Sequence, residues 1–117
     1  MLENQPSFPE VNRVIHEPAR LSILTVLSAC TNADFTFLQT ATGLSKGNLS
    51  VQLTRLEEAA LISVEKILER KKTRTTVKLS AEGRIQLNEY WQTMKRIQEQ
   101  GAPPIIQKTT DTRSDRA

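Results

Sequence analysis

The stretch of the chain that decides the fold is residues 43–50, Gly-Leu-Ser-Lys-Gly-Asn-Leu-Ser. Glycine favours the left-handed backbone that ends many helices. A serine two residues later can accept a hydrogen bond from an unpaired amide at the start of the next helix. The stretch therefore predicts two helices joined by a tight turn. The second helix is expected over about residues 46–60, because its apolar residues recur on one stripe with spacings of four, three and four: Leu49, Leu53, Leu56 and Ala60.

Two helices are predicted between residues 18 and 43, and the second of them is the one that leads into the turn. Pro18 suits the first turn of a helix, and the apolar residues that follow can cover two buried sides: Leu21, Ile23, Leu24, Val26, Leu27 and Cys30. Residues 31–34 are a polar turn cluster. A helix of barely two turns is then expected to begin near Phe35, with Thr36 as its candidate cap, and to end at Gly43.

The N-terminal segment is expected to form an arm with one short helix. Ser7 can cap this helix, Glu10 follows three residues later, and a proline lies in the first turn. These features predict a helix over residues 9–16. Cys30 has no second cysteine to pair with, and its apolar neighbours predict an inert thiol on a buried helix.

After Ala60 the period of the sequence changes from helical to alternating. Ile62 and Val64 alternate with polar residues, and residues 75–79 are rich in β-branched side chains. Two antiparallel strands joined by a loop at 69–74 are the simplest interpretation. Ser80 then predicts the cap of a last helix. The expected organisation is an N-terminal arm with a short helix (1–17), a core (18–80), a C-terminal helix (81–100) and a polar tail (101–117).

Length and composition are those of one ordinary globular domain. The chain has 117 residues, of which 38% are hydrophobic and 25% charged. No apolar run approaches the roughly 18 residues of a membrane-spanning helix, and the polar N-terminus lacks the apolar centre of a signal peptide. We therefore expect a cytoplasmic protein with no membrane partner.

Positive charge is concentrated in the predicted hairpin. The formal net charge of the chain is +3, but residues 66–78 hold six basic side chains and one acid, a local balance of +5. Four of the basic residues lie in the predicted loop: Arg70, Lys71, Lys72 and Arg74. Such a loop can bind the phosphates of nucleic acid, although a solvated basic loop also commonly protects the edge of a hairpin.

The order of these elements is helix, short strand or turn, helix, tight turn, helix, hairpin, helix. Five parts of the sequence carry a more specific resemblance: residues 17–24, 35–38, 43–50, Leu53 with 56–62, and 79–84. Over about residues 15–97 the chain resembles small bacterial and archaeal winged-helix transcriptional regulators related to the MarR and ArsR types. The resemblance implies a winged helix-turn-helix, mainly α with a small β-hairpin and with N- and C-terminal dimerisation helices. It also implies sequence-specific binding of double-stranded DNA, most often as a repressor.

Two elements of such regulators contact DNA. The helix at 46–60 would be the recognition helix in the major groove, where Asn48 and Gln52 can pair with adenine edges and Arg55 with guanine. The loop at 69–74 would be the wing, lying on the phosphate backbone or in the minor groove. The DNA-binding residues expected on this basis are Ser45, Lys46, Asn48, Ser50, Gln52, Thr54, Arg55, Arg70, Lys71, Lys72 and Arg74.

The chain departs from the family pattern at two places. The family usually has glycine where this chain has Ala60, so we expect the recognition helix to be extended, or its cap altered, by a residue. Val51 and Gln52 stand where related regulators often carry a basic residue followed by histidine. The bases that this helix reads therefore do not follow from the resemblance.

The C-terminal helix has more apolar surface than a closed winged-helix core needs, and dimerisation would cover it. The residues expected at a homodimer interface are Leu87, Tyr90, Trp91, Met94 and Ile97. The short helix at 9–16 is expected to join them. Two-fold symmetry predicts a roughly palindromic DNA site with half-sites about one helical turn apart.

The sequence lacks the constellations of other functional classes. His16 and Cys30 are too few soft ligands for a zinc site, and no glycine-rich phosphate loop or nucleophile-base pair is present. We therefore expect no cofactor, no metal and no enzymatic activity. Related regulators hold effectors between the dimer helices and the core, but no residue here identifies a small molecule. The alternative is a winged-helix protein-interaction module, which would not need the basic wing.

Overall fold

From residue 18 onward, the helices and strands follow one another in the order that the sequence predicts. The computed structural model describes residues 9–101, and the following elements lie in that range: α1 (Pro18–Ser28), β1 (Ala33–Asp34), α2 (Phe35–Thr42), α3 (Lys46–Glu58), β2 (Ile62–Glu69), β3 (Lys72–Leu79) and α4 (Ala81–Gln100). The strands form an antiparallel sheet in the order β1-β3-β2. The mainly α fold with a small hairpin is confirmed. Ser7 and residues 102–117 of the polar tail lie outside the described residues.

The helix-turn-helix forms as the glycine and serine predict. Gly43 has a left-handed backbone with φ +74°, and its N–H donates to the Gln39 carbonyl at 2.9 Å, which closes the end of α2. The Ser45 hydroxyl then accepts the backbone N–H of Asn48 at 3.1 Å and caps α3. Both capping residues, Gly43 and Ser45, belong to the turn itself, so the angle between α2 and α3 is fixed locally.

The prediction of Thr36 as the cap of α2 is wrong. The carboxylate of Asp34 accepts the backbone N–H of Phe37 at 2.7 Å, and Thr36 lies inside the first turn. Asp34 has an extended backbone because it also ends β1, where it is paired with Thr76 of β3. This conformation is the one that a capping residue adopts.

Helix α3 ends at Glu58, two residues before its predicted end. Ala60 has φ +64°, and its N–H donates to the Glu57 carbonyl at 2.9 Å, while the Leu61 N–H donates to the Leu56 carbonyl at 3.0 Å. This pair of bonds is the Schellman motif, which requires a left-handed residue just after the helix. The helix is therefore not extended by a residue, and its cap keeps the ordinary Schellman geometry, because Ala60 itself adopts the conformation usually left to glycine.

The hairpin turn is shorter than the predicted loop at 69–74. Glu69 of β2 pairs directly with Lys72 of β3, so that Arg70 and Lys71 alone make the turn. Both have positive φ, 48° and 67°, as in the type I′ turn whose twist suits a tight hairpin. Lys72 and Arg74 are therefore strand residues.

The predicted helix over residues 9–16 is absent. Instead, the Asn12 side-chain oxygen accepts the backbone N–H groups of Val14 and Ile15 at 3.0 and 3.2 Å, which leaves a single turn around residues 13–15. Asparagine competes in this way with helical backbone bonds. Pro18 also restricts the residue before it, and Glu17 is extended with φ −153°, so the turn cannot run on into α1.

The core lies between the three helices of the helix-turn-helix unit, the sheet and the start of α4. Its fully buried side chains are Ile15, Ile23, Leu24, Leu27, Leu38, Leu49, Leu56, Leu61 and Val77. Helix α4 begins against this core, since the Ser80 N–H donates to the Leu61 carbonyl at 3.0 Å and a β-carbon at Gly83 would overlap the same carbonyl oxygen. In the described range, no helix is both long and apolar enough to cross a membrane.

Candidate nucleic-acid interface

Helix α3 is buried on one side and polar on the other. Leu49, Leu53 and Leu56 pack into the core. The opposite side exposes most of the side chains predicted to bind DNA: Lys46, Asn48, Ser50, Thr54 and Arg55. Ser45 is also exposed, but its hydroxyl already caps the helix.

Three side chains of α3 differ from the expectation that the polar residues of this helix are free to bind DNA. The Thr54 hydroxyl donates to the Ser50 carbonyl at 3.1 Å, so it is already bonded within the helix. Gln52 is only partly exposed and bonds to other side chains. Val51, which the sequence analysis did not place in the site, is 51% exposed among the polar residues, where an apolar side chain can contact the methyl group of thymine.

The basic wing extends from the sheet into solvent. Arg70, Lys71, Lys72 and Arg74 are all exposed. Arg74 forms an ion pair with Glu69, Nε to Oε1 at 3.5 Å. Both side chains are about half exposed, and such surface pairs contribute little, so the positive charge of the wing stays available to an anion.

An open groove of about 490 Å³ separates the start of α3 from the wing. Three cationic side chains line it, Lys46, Lys66 and Arg74, together with hydroxyl-bearing residues from three elements. These residues are Thr36 of α2, Ser50 of α3, and Thr73 and Thr75 of β3. Asp34, the acidic residue of the lining, is the cap of α2. Cations and hydroxyls are the groups that hold phosphate oxygens.

Lys66 belongs to the groove, although it was not among the residues predicted to bind DNA. Ile62, Val64 and Lys66 alternate along β2 and so lie on the face of the sheet that covers the core. Because the hairpin continues beyond the core, the same face meets the groove at Lys66 and at its cross-strand partner Thr75. The alternation at 62–66 was the signal that could have identified it.

A second residue that the sequence analysis missed is Arg20 of α1. Its Nη1 donates to the Gln52 Oε1 at 2.8 Å, and Gln52 Nε2 donates to the Asn48 Oδ1 at 3.0 Å. Arg20 has a side chain that is 14% exposed. Helix α3 is therefore bonded through its polar side chains to α1, by a hydrogen bond between two residues that lie 32 positions apart in the chain.

The predicted interface residues of α4 fall into two groups. Leu87 and Tyr90 are 5% and 3% exposed in the single chain, so they belong to its own core and leave little surface for a partner. Tyr90 is hydrogen bonded to His16 Nδ1 at 2.8 Å, and its burial raises the pKa of its phenol above the ordinary value. Trp91 is 46% exposed, and Met94 and Ile97 are half-buried.

His16 and Cys30, the candidate soft metal ligands, do not belong to a metal-binding cluster in the described part of the chain. Within residues 9–101, no three His, Cys, Asp or Glu side chains are close enough together to hold a metal ion. Cys30 lies just beyond α1, half-buried, and its thiol donates to the Val26 carbonyl at 3.3 Å. The expected place on a buried helix is therefore wrong, because α1 ends at Ser28 and is capped by Ala29.

Several solved structures of similar fold are described as transcriptional regulators. A transcriptional regulator homologue from Pyrococcus horikoshii OT3 is 24% identical, with a TM-score of 0.70 over 75% of this chain and 87% of that one. The transcriptional repressor CouR, solved bound to a 23-mer DNA duplex, is 23% identical with a TM-score of 0.63, covering 75% and 61%. A MarR-family regulator from Silicibacter pomeroyi is 19% identical with a TM-score of 0.59, covering 90% and 76%.

These likenesses confirm the winged helix-turn-helix that the resemblance implied. The family model that describes a winged helix DNA-binding domain matches residues 19–98. That range begins in α1, ends in α4 and contains the helix-turn-helix, the groove and the wing. The chain therefore belongs to the winged helix DNA-binding domain family.

Proposed function

We propose that this protein is a sequence-specific transcriptional regulator that binds double-stranded DNA and acts as a repressor. Helix α3 enters the major groove, and the wing lies on the backbone or in the minor groove. The observation that carries the proposal is the groove between them, lined by Lys46, Lys66 and Arg74 and by four hydroxyl-bearing residues. If the sugar-phosphate backbone of one DNA strand passed through this groove, α3 would lie on one side of that backbone and the wing on the other.

The chemistry of the groove suits a phosphate strand better than it suits a protein surface. Lysine and arginine displace the counterions that surround DNA, and hydroxyl groups donate to phosphate oxygens. The exposed polar side of α3 begins at the groove with Lys46 and Ser50. Recognition helices use their N-terminal residues to contact base edges, so Asn48 is well placed to reach a base.

The known proteins of similar fold support the regulatory role. CouR is a transcriptional repressor and was solved on a DNA duplex, and the other two are described as regulators. Repression is therefore proposed by analogy, whereas DNA binding rests on the family and on the groove.

We further propose that two copies of the chain associate through the second half of α4. Trp91 is 46% exposed, and the half-buried Met94 and Ile97 follow it at spacings of three residues. Leu87 and Tyr90, which precede Trp91 in α4, are buried in the core of the chain itself. A homodimer would present two α3 helices to a palindromic DNA site.

The salt dependence of duplex binding tests the DNA proposal. Each lost phosphate contact lowers the slope of log affinity against log salt by about 1. We expect Lys46→Ala with Lys66→Ala to lower the slope by up to about 2. The matched control is Lys95→Ala with Arg96→Ala, which removes the same charge from exposed positions on α4.

Two results would contradict the proposal. If both double variants changed the slope equally, the groove would have no special role in binding. If the unaltered protein bound no duplex even at low salt, the alternative of a protein-interaction module would replace the DNA-binding function. Mobility-shift or anisotropy titrations over a range of salt concentrations give both answers.

A further inference from the structure

The guanidinium of Arg20 is surrounded by hydrogen-bond acceptors. Its Nε donates to the Val14 carbonyl at 2.5 Å, its Nη2 to the Arg13 carbonyl at 3.5 Å, and its Nη1 to the Gln52 Oε1 at 2.8 Å. The Glu17 carboxylate lies 4.0 Å from Nη1. A guanidinium can only donate. The carboxamide of Gln52 must therefore turn its oxygen toward Arg20 and its nitrogen away.

The orientation of Gln52 in turn fixes that of Asn48. Gln52 Nε2 lies 3.0 Å from the Asn48 side chain and can only donate, so the atom of Asn48 that faces it is the oxygen, Oδ1. The Asn48 Nδ2 group then points away from Gln52. Three side chains thus form one directed series of hydrogen bonds, which we call the Arg20 relay: Arg20, Gln52 and Asn48.

The Arg20 relay begins at a cation and ends in N–H donors. A positive charge at one end polarises each hydrogen bond that follows and strengthens the donor at the other end. Arg20 is mostly buried, whereas Asn48 is exposed in the first turn of α3. The relay therefore presents an enhanced donor on the exposed side of the proposed recognition helix.

We propose that Arg20 is a positioning residue for base recognition, which makes Asn48 a donor and directs it to guanine. In the major groove, guanine displays two acceptors, N7 and O6, whereas adenine displays the acceptor N7 beside the N6 donor. An asparagine that is free to rotate pairs with adenine by using its oxygen and its nitrogen together. In the Arg20 relay the Asn48 oxygen faces Gln52 and the Nδ2 group points away from it, so the group left to meet a base edge is a donor. The two acceptors of guanine fit this donor, whereas the adenine amino group opposes it. This inference rests on the proposed DNA binding.

Selection of bound duplexes from a random pool tests the base preference. The position at which Asn48→Ala loses its preference is the one that Asn48 reads, and we expect guanine there. Replacing that guanine by 7-deazaguanine, which lacks the N7 acceptor, should weaken binding by the unaltered protein by about tenfold and leave binding by Asn48→Ala unchanged. Adenine at that position would overturn the inference.

Two variants test whether the Arg20 relay causes the preference. Arg20→Met removes the donor to Gln52, and Gln52→Glu keeps the bond with Arg20 but has no N–H to give to Asn48. Both should reduce the discrimination between guanine and adenine at the Asn48 position to within about twofold, from the tenfold that one good base contact provides. Arg20→Lys, which can still donate, should restore part of it.

The outcomes separate this inference from the DNA-binding proposal. Gln52→Glu retains the bonds of Arg20 to residues 13 and 14, so it tests the relay even if Arg20→Met does not fold. Unchanged guanine preference in Gln52→Glu would overturn the Arg20 relay and leave DNA binding intact. Failure of the unaltered protein to bind any duplex at low salt would overturn both.

Discussion

At the scale of single residues, Ala60 shows how a local departure from the family pattern is accommodated. It occupies the left-handed position of the Schellman motif with φ +64°. A β-carbon makes that conformation unfavourable by roughly 1 kcal/mol. The sequence indicated that this position was unusual, but periodicity alone could not decide between a longer helix and a strained cap.

Ala60→Gly should therefore stabilise the protein. We expect the free energy of unfolding in urea to rise by about 1 kcal/mol, because glycine adopts the left-handed conformation without the steric cost. The matched control is Ala59→Gly at the neighbouring cap, where φ is −84° and no such strain exists. A rise of equal size in both variants would contradict the explanation.

Tyr90 gives a prediction for the dependence of stability on pH. Burial raises the pKa of its phenol above 10.0, so the folded chain holds this proton more firmly than the unfolded chain does. Stability from this group is complete below the unfolded pKa and is lost as pH rises through the folded pKa. Urea midpoints measured between about pH 9 and 11 should fall more steeply for the unaltered protein than for Tyr90→Phe. Parallel curves would contradict this prediction.

At the scale of elements, the turn of the wing carries two cations in backbone conformations that destabilise the hairpin. Arg70 and Lys71 have positive φ values, 48° and 67°, where asparagine and glycine are the favoured residues. Arg70→Asn with Lys71→Gly should raise the free energy of unfolding by about 1 kcal/mol. The same change removes two cations from the tip of the wing.

Binding and folding should therefore respond to this double variant in opposite directions. Duplex affinity should fall, and the salt slope should decrease by up to about 2. Thermal unfolding and a salt titration on the same samples measure the two effects. An unchanged slope together with higher stability would place the turn away from the DNA.

The caps explain why the boundaries of elements were predictable to different degrees. The hydroxyls of Ser45 and Ser80 accept hydrogen bonds from backbone N–H groups only three residues later, so sequence proximity was enough to identify both helix starts. Asp34 was overlooked because its extended backbone depends on pairing with Thr76, which is distant in the chain. The 9–16 prediction failed because an asparagine side chain replaced the helical bonds of Val14 and Ile15.

At the scale of the whole molecule, contacts between distant residues were beyond the reach of the sequence. The order of elements and the polar side of α3 followed from period and caps. The bond of Arg20 to Gln52 joins residues 32 apart, and neither residue type indicates the other. The apolar stripe of α4 could likewise not be divided in advance into Leu87 and Tyr90, which serve the chain's own core, and Trp91, which remains exposed.

The proposed dimer is tested on the exposed half of α4. Trp91→Glu with Met94→Glu should give a monomer in sedimentation velocity, because two charges would have to be buried in an apolar contact. Asn88→Glu with Gln92→Glu adds the same charge at exposed positions on α4 and should leave the dimer intact. A dimer that persists in the first variant would rule out this surface.

The contacts around Ser80 hold the first turn of α4 in place, so a small change in the direction of this helix moves its far end by several ångströms. Its hydroxyl donates to the Ala60 carbonyl at 2.8 Å, its N–H donates to the Leu61 carbonyl, and Gly83 lies against that carbonyl. The base of α4 is thereby fastened to the end of α3. The 20 residues of α4 extend about 30 Å. A tilt of the helix by about 10° about its first turn therefore displaces its far end by about 5 Å. In a dimer joined at that end, the crossing angle of two α4 helices would set the distance between the recognition helices, and so the spacing of half-sites that both can reach at once.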